Sequence, residues 1–283
     1  MNARTALDLG KETVNEFLKD KAPRLAAALS YYTIFSIAPL MIILIAVAAL
    51  VLGQKGATEQ VSYQLKDLLG EAGATSIQTM VESANRPKAG VVAAVTGVVV
   101  LLFGASGVFG QLQDALNTIW DVKAKEGGGF LKMLKDRFLS FSMILVVGFL
   151  LLVSLVLSAA IAAVGTMFQN MMPGMEVVGH ILNFVVSFVV ISFLFAMIFK
   201  ILPDAEIGWH DVWLGAIATS FLFTLGKFGL GIYLGKGAVG SSYGAAGSLI
   251  VVLVWVYYSS MILLFGAEFT EVYSRHRVAN LKR

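Results

Sequence analysis

Residues 246–269 read AGSLIVVLVWVYYSSMILLFGAEF, an unbroken apolar run in which Glu268 is the sole charge. A helix needs about 20 apolar residues to cross roughly 30 Å of hydrocarbon, and this run supplies them without alternating apolar and polar positions. Five further runs of the same kind lie near 29–52, 90–108, 138–165, 178–202 and 211–234. Barrel strands would alternate with a period of two, whereas a continuous run suits a helix that satisfies its own backbone in lipid. The expected fold is therefore an all-α membrane protein, a six-transmembrane-helix bundle forming one polytopic domain over 1–283. Between the fifth and sixth runs lies only GKGAVGSSYGAAG, residues 235–247, which reads as a turn or a re-entrant segment.

The whole composition agrees. Of 283 residues 58% are hydrophobic and 14% charged, and the mean hydropathy is +0.81, too apolar for an ordinary soluble domain. A net charge of +3 gives no argument for a nucleic-acid partner. With no Cys and three His (His180, His210, His276), disulfide and thiolate chemistry are excluded and a transition-metal site has little material. A cleaved signal peptide is not expected, because a charged segment precedes a first run of full spanning length and five more follow.

Orientation follows from Lys and Arg between the runs. Arg4, Lys11, Lys19, Lys21, Arg24, Lys123, Lys125, Lys132, Lys135, Arg137, Lys200, Arg275, Arg277, Lys282 and Arg283 fall on one side. Only Lys55, Lys66, Arg86, Lys88 and Lys236 fall on the other. This excess places both termini in the cytoplasm, with 270–283 as a cytoplasmic tail. Ahead of the first run, within 1–28, Leu7, Val14, Phe17 and Leu18 recur at helical spacing opposite Arg4, Asp8, Lys11, Glu12, Asn15 and Lys19. The pattern predicts an N-terminal interfacial helix on the inner leaflet. Val61, Leu65, Leu68 and Leu69, then Ile77, Met80 and Val81, predict two short amphipathic helices in the first outer loop, placed to lid the outer face.

Candidate functional positions are the polar residues inside the runs. In the fifth, Ser220, Thr224, Lys227 and Gly231 share a face, and Lys227 is the single Lys or Arg deep in any run. A cation there either snorkels to the interface or faces a pathway. In the sixth, Tyr257, Ser260, Leu264 and Glu268 share a face beside Trp255 and Tyr258, and tyrosines at that depth need partners in a polar core or a wet cavity. Glu268 is expected to pair with Lys200 or an N-terminal basic residue. His180, Asn183 and Ser187 form a shorter stripe in the fourth run, with a structural histidine favoured over a proton relay.

Within LSYYTIFSIAPL, residues 29–40, Pro39 removes a backbone donor and Ser36 can cover a freed carbonyl, which predicts a kink. FGASGVFGQLQDALNTIWDV, residues 103–122, spaces Gly104, Gly107 and Gly110 for close helix approach. It then emerges into the cytoplasm with Gln113, Asp114 and Asn117. The small-xxx-small pair Gly231 and Gly235 suits intrachain packing or a homo-oligomer.

No enzyme motif survives inspection. GSSYG, residues 240–244, fits a nucleophile pattern around Ser242, but that elbow needs a preceding strand, and the later His276 lies across the membrane. The carboxylates Asp114 and Asp121, Asp204 and Asp211, or Glu268 and Glu271 have no spacing diagnostic of Mg²⁺, and solvated charge is the favoured reading. No cofactor and no metal are expected.

The stretches LSYYTIFSIAPL, FGASGVFGQLQDALNTIWDV, ILPDAEIGWHDVWLGA and YGAAGSLIVVLVWVYYSSMILLFGAEFTEVYSR together resemble the YihY/virulence factor BrkB family of bacterial membrane proteins. The resemblance implies a multi-pass protein of the bacterial inner membrane. Some members carry a historical ribonuclease BN label, which is disfavoured because no soluble catalytic domain is visible. The family's associations with envelope integrity and lipid-linked material point to transport. The expected function is a transporter or flippase-like exporter of an amphiphilic, anionic or lipid-linked envelope component, with membrane lipids as partners and a cavity lined by spans one, two, five and six. The alternative is a non-transporting scaffold acting through the cytoplasmic helices and tail.

Overall fold

A computed structural model describes residues 3–84, 107–122, 175–235 and 247–281. Among them the regular structure is helical: α1 (Ala3–Lys19), α2 (Ala22–Ala84), α3 (107–119), α4 (Met175–Ile201), α5 (Trp209–Gly235) and α6 (Gly247–Leu281). Phe184–Ile201, Trp209–Leu230 and Leu249–Ala279 are each long and apolar enough to cross a membrane. Ala22–Ala38 and Leu40–Leu50, bent by 48° at Pro39, are long and apolar enough only when taken together. The missing donor at Pro39 thus produces the expected kink. The third expected span and nearly all of the second lie outside the described residues.

The chain turns sharply between α1 and α2. Asp20 N–H donates to Glu16 O at 2.8 Å and Lys21 N–H to Leu18 O at 3.2 Å, with Lys21 in the left-handed region at φ 54°. This closes α1 in the manner of a helix C-cap. Pro23 stands in the first turn of α2, where a missing N–H costs nothing. α3 ends on a Schellman pair: Val122 N–H reaches Asn117 O at 2.9 Å, Asp121 N–H reaches Thr118 O at 3.2 Å, and Asp121 has φ 49°.

α2 runs helical from Ala22 to Ala84, so the connection after the first run is helical and continues α2. It still folds back: Gln78 Nε2 donates to Ser62 Oγ, whereas a straight helix would hold these residues about 24 Å apart. Gly53 at φ 70° lies between the span and this returning arm. The arm sets Ile77 against Ile37, Val252 and Val256, with Leu65 and Val81 alongside. The stretch after the sixth run is helical too, an extension of α6 to Leu281.

α5 and α6 pack antiparallel through reciprocal small residues. A Cβ on Gly215 would stand 1.7 Å from Thr270 Oγ1, and one on Gly266 would stand 1.8 Å from Thr219 Oγ1. Each threonine also satisfies its hydroxyl on the glycine one turn back, Thr219 to Gly215 O at 2.6 Å and Thr270 to Gly266 O at 2.7 Å. In lipid, where apolar burial gives helices no mutual attraction, such close approach supplies the packing.

Candidate functional site

Further along the same α5–α6 seam the packing opens. The Tyr258 ring lies over Gly226, where an added Cβ would meet it at 2.3 Å, while Gly229 has nothing within 4 Å of its Cβ position. The result is a groove of about 610 Å³ lined by Leu222, Leu225, Gly226, Gly229, Tyr258 and Phe265, with Phe17 of α1 at its inner end. Its walls belong to two helices long and apolar enough to cross a membrane, and the Tyr258 hydroxyl is its principal polar feature. Phe17 meets Phe265 edge-on, the ring centroids 5.6 Å apart. A smaller cavity of about 400 Å³ lies under the returning arm of α2, among Ile42, Ile45, Gln54, Thr58, Val81 and Glu82.

The expected polar stripe of α5 does not line the groove. Ser220 donates to Ala216 O at 2.8 Å and Thr224 to Ser220 O at 2.7 Å, so both hydroxyls are satisfied within their own helix. Lys227 is half-buried. On α6 the neighbours separate: Tyr257 packs with the main core, Ser260 is half-buried, and Tyr258 faces the groove. Ser36 is buried near the Pro39 bend. The groove as described is formed by α5 and α6 with Phe17; nearly all of the second span, which the expected four-span cavity includes, lies outside the described residues. The side chains of His180, Asn183, Gly231 and Gly235, and the whole of GSSYG, lie outside the described residues.

At the end of the bundle where α1 meets α6, polar side chains knit distant segments together. Asn117 Nδ2 donates to Asp204 Oδ2 at 3.0 Å and Asn117 Oδ1 accepts from Asp204 N–H at 2.8 Å. Gln113 Nε2 approaches Asp204 Oδ1 at 3.5 Å. The end of the second run is thereby fastened to the turn between α4 and α5. Asp114 is exposed. Buried Asp211, in the first turn of α5, accepts from Arg277 Nη1 at 2.9 Å and Ser274 Oγ at 3.1 Å. Arg275 Nη2 bonds Glu12 at 2.9 Å and lies 3.6 Å from Glu16 and 3.5 Å from Glu271; His276 Nε2 meets Glu12 Oε2 at 2.5 Å. These contacts hold α1 against α6, and their acidic halves were missed in the sequence because each residue by itself reads as solvated charge. The Lys19 hydrogen bond, followed by the charges of Lys19 and Arg275, holds the Glu16 carboxyl below its ordinary value.

Glu268 overturns its expected pairing. It is fully buried, and among the described residues neither carboxyl oxygen has a hydrogen-bond partner. Lys200 instead donates to Ile207 O at 2.5 Å and lies 5.8 Å from the centre of the Trp209 ring. Trp120 Nε1 is likewise buried without a partner. Among the described residues no three His, Cys, Asp or Glu side chains converge as metal ligands would.

The virulence factor BrkB family pattern matches residues 13–283. The chain belongs to the virulence factor BrkB family. Among its relatives are UPF0761 membrane proteins of Halorhodospira halophila, 27% identical over 274 residues, and of Alkalilimnicola ehrlichii, 27% identical over 282. A UPF0761 membrane protein of Pseudomonas aeruginosa is 27% identical over 266 residues. The alignments cover 96%, 98% and 92% of this chain but 58%, 60% and 61% of those proteins. The chain therefore spans about three-fifths of their length. No solved structure matches it.

Proposed function

We propose that this BrkB-family protein is a transporter or flippase-like exporter of an amphiphilic or lipid-linked envelope component, set in the bacterial inner membrane with six spans and both termini cytoplasmic. The observation that carries the reading is the open groove between α5 and α6. Two helices that approach closely enough at Gly215 and Gly266 to exclude a methyl group leave room beside Gly229 for an apolar chain. Such a chain would enter at Phe17, next to the inner-leaflet helix α1, and run along Leu225 and Tyr258. Lys227, the residue after Gly226 though not part of the groove's lining, is the α5 cation proposed to meet an anionic headgroup. The bend at Pro39 gives the first span a hinge.

Lipid and lipid-linked solute movement across proteoliposomes tests this, using wild type, Lys227→Ala and Gly229→Phe at two pH values. Gly229→Phe fills open space, so it is expected to fold normally and to lower the rate at least about tenfold. Unchanged movement in both variants, or none in the wild type across a broad panel, would refute the transport reading. A non-transporting scaffold is favoured by one other observation: Leu7, Val14 and Leu18 form an exposed apolar stripe on α1. Its signature would be loss of function on removing the end of α6 while groove variants stay active.

A further inference from the structure

We propose that Glu268 is a proton-binding site whose ionisation releases α1 from the cytoplasmic end of the bundle. The proposal stands on geometry and does not depend on transport. Glu268 lies between Gly266 and Thr270, the residues through which α6 meets α5, so its own direction is towards the α1–α2 corner. Among the described residues the charges near enough to act on it are Asp20 at that corner, Glu271 on α6, and Glu16 and Lys19 on α1. Three of the four are acidic. Asp121, at the end of α3, adds a further negative charge that acts on Asp20 and Glu271.

Among the described residues the nearby cations are committed elsewhere. Lys19 is hydrogen-bonded to Glu16 at 2.6 Å, and Arg275 already serves Glu12, Glu16 and Glu271. On α5, Asp211 is taken by Arg277 and Ser274. At the start of α2, Lys21 and Arg24 are exposed to solvent. A buried carboxylate with neither hydrogen-bond donor nor counter-ion among the described residues is costly, whereas the neutral acid is tolerated. Proton occupancy is thus the condition under which the corner can stay closed over Glu268. When the proton leaves, the new charge gains solvation only if α1, held there by Leu9, Thr13 and Phe17, lifts away. The docked state binds one more proton than the released state, so docking weakens as pH rises.

Two readouts on the full chain in lipid nanodiscs test this. Infrared difference spectra between wild type and Glu268→Gln report the carboxylic acid directly. The Gln side chain keeps the shape of the neutral acid and cannot ionise. The chain has no Cys, so spin labels at Gly10→Cys and Val278→Cys, both exposed, report the α1–α6 distance. The expected result is a protonated-acid band assigned to Glu268 while α1 is docked, which disappears as pH is raised, in step with a longer-distance population. In Glu268→Gln the band is absent and the distance stays short, which also separates Glu268 from the Glu12–His276 contact. An ionised Glu268 at neutral pH with α1 docked would overturn the proposal. So would a pH-dependent release that persists in Glu268→Gln. Should Glu268→Gln fail to fold, the wild-type band and distance still decide, because loss of the band without release refutes the coupling.

Discussion

Replacing Gly215 by Ala is the sharpest test of how this bundle is held. The new Cβ would stand 1.7 Å from Thr270 Oγ1, 2.8 Å from Thr270 Cβ and 3.2 Å from Cγ2. Rotating the threonine relieves the first contact but not the second, because Cβ is fixed by the backbone. The helices must therefore part, loosening the partner pair at Gly266 and Thr219, one turn away. Overpacking of this kind costs about 1–3 kcal/mol, and the contact with Thr270 Cβ, which no side-chain rotation relieves, places Gly215→Ala at the upper end. Ala regains up to about 1 kcal/mol over Gly in helix propensity, leaving a net loss of about 2 kcal/mol. Equilibrium unfolding in mixed micelles of increasing denaturing detergent, followed by circular dichroism, measures it. Gly229→Ala is the control, since its Cβ meets nothing within 4 Å, and it is expected to be neutral or slightly stabilising. Adding Thr270→Gly to Gly215→Ala should move the protein back towards wild type. If Gly215→Ala were as stable as Gly229→Ala, the reciprocal glycine–threonine packing would not be what sets the α5–α6 distance.

Asn117→Ala removes both hydrogen bonds to Asp204 and is expected to cost about 1–3 kcal/mol in the same unfolding experiment; a change within about 0.5 kcal/mol would show that the second run is not fastened through this pair. Acid should also loosen α1. Because Glu16 is held below its ordinary value by Lys19 and Arg275, its contribution to docking is present above the usual carboxylate range and is lost as pH falls through the lowered value. The Gly10→Cys and Val278→Cys distance should lengthen well below about pH 4, and Glu16→Gln should already show the longer distance at neutral pH. A distance insensitive to both would remove Glu16 from the latch.

The relation between sequence and structure differs from element to element. The fourth, fifth and sixth runs were legible because hydropathy is summed along contiguous residues, and α4, α5 and α6 appear where those sums lie. Pro39 was legible because a missing donor acts on its own helix, and it gives the 48° bend. The returning arm of α2 was legible only as apolar spacing. Its contact with Ile37 and Val252 joins residues far apart in sequence, which no local pattern specifies.

The polar positions were the least legible. Ser220 and Thr224 looked like a pathway stripe because helical spacing records which residues share a face but not what that face meets. Their hydroxyls are spent within α5. Gly215 and Gly266 passed unnoticed, although each heads a Gly-x-x-x-Thr segment, since the pattern has meaning only when the two segments are antiparallel and in register. Glu268 was read as half of an ion pair because Lys200 lay at a similar depth, yet the side chain of Lys200 is drawn to Ile207 and Trp209.

Membrane residence, helical class and family membership were therefore determined by the sequence alone, because each depends on local composition or on linear pattern. The groove, the α1–α6 latch and the isolation of Glu268 were decided only by tertiary structure, because each depends on which surfaces of separate helices come together and which side chains reach their partners first.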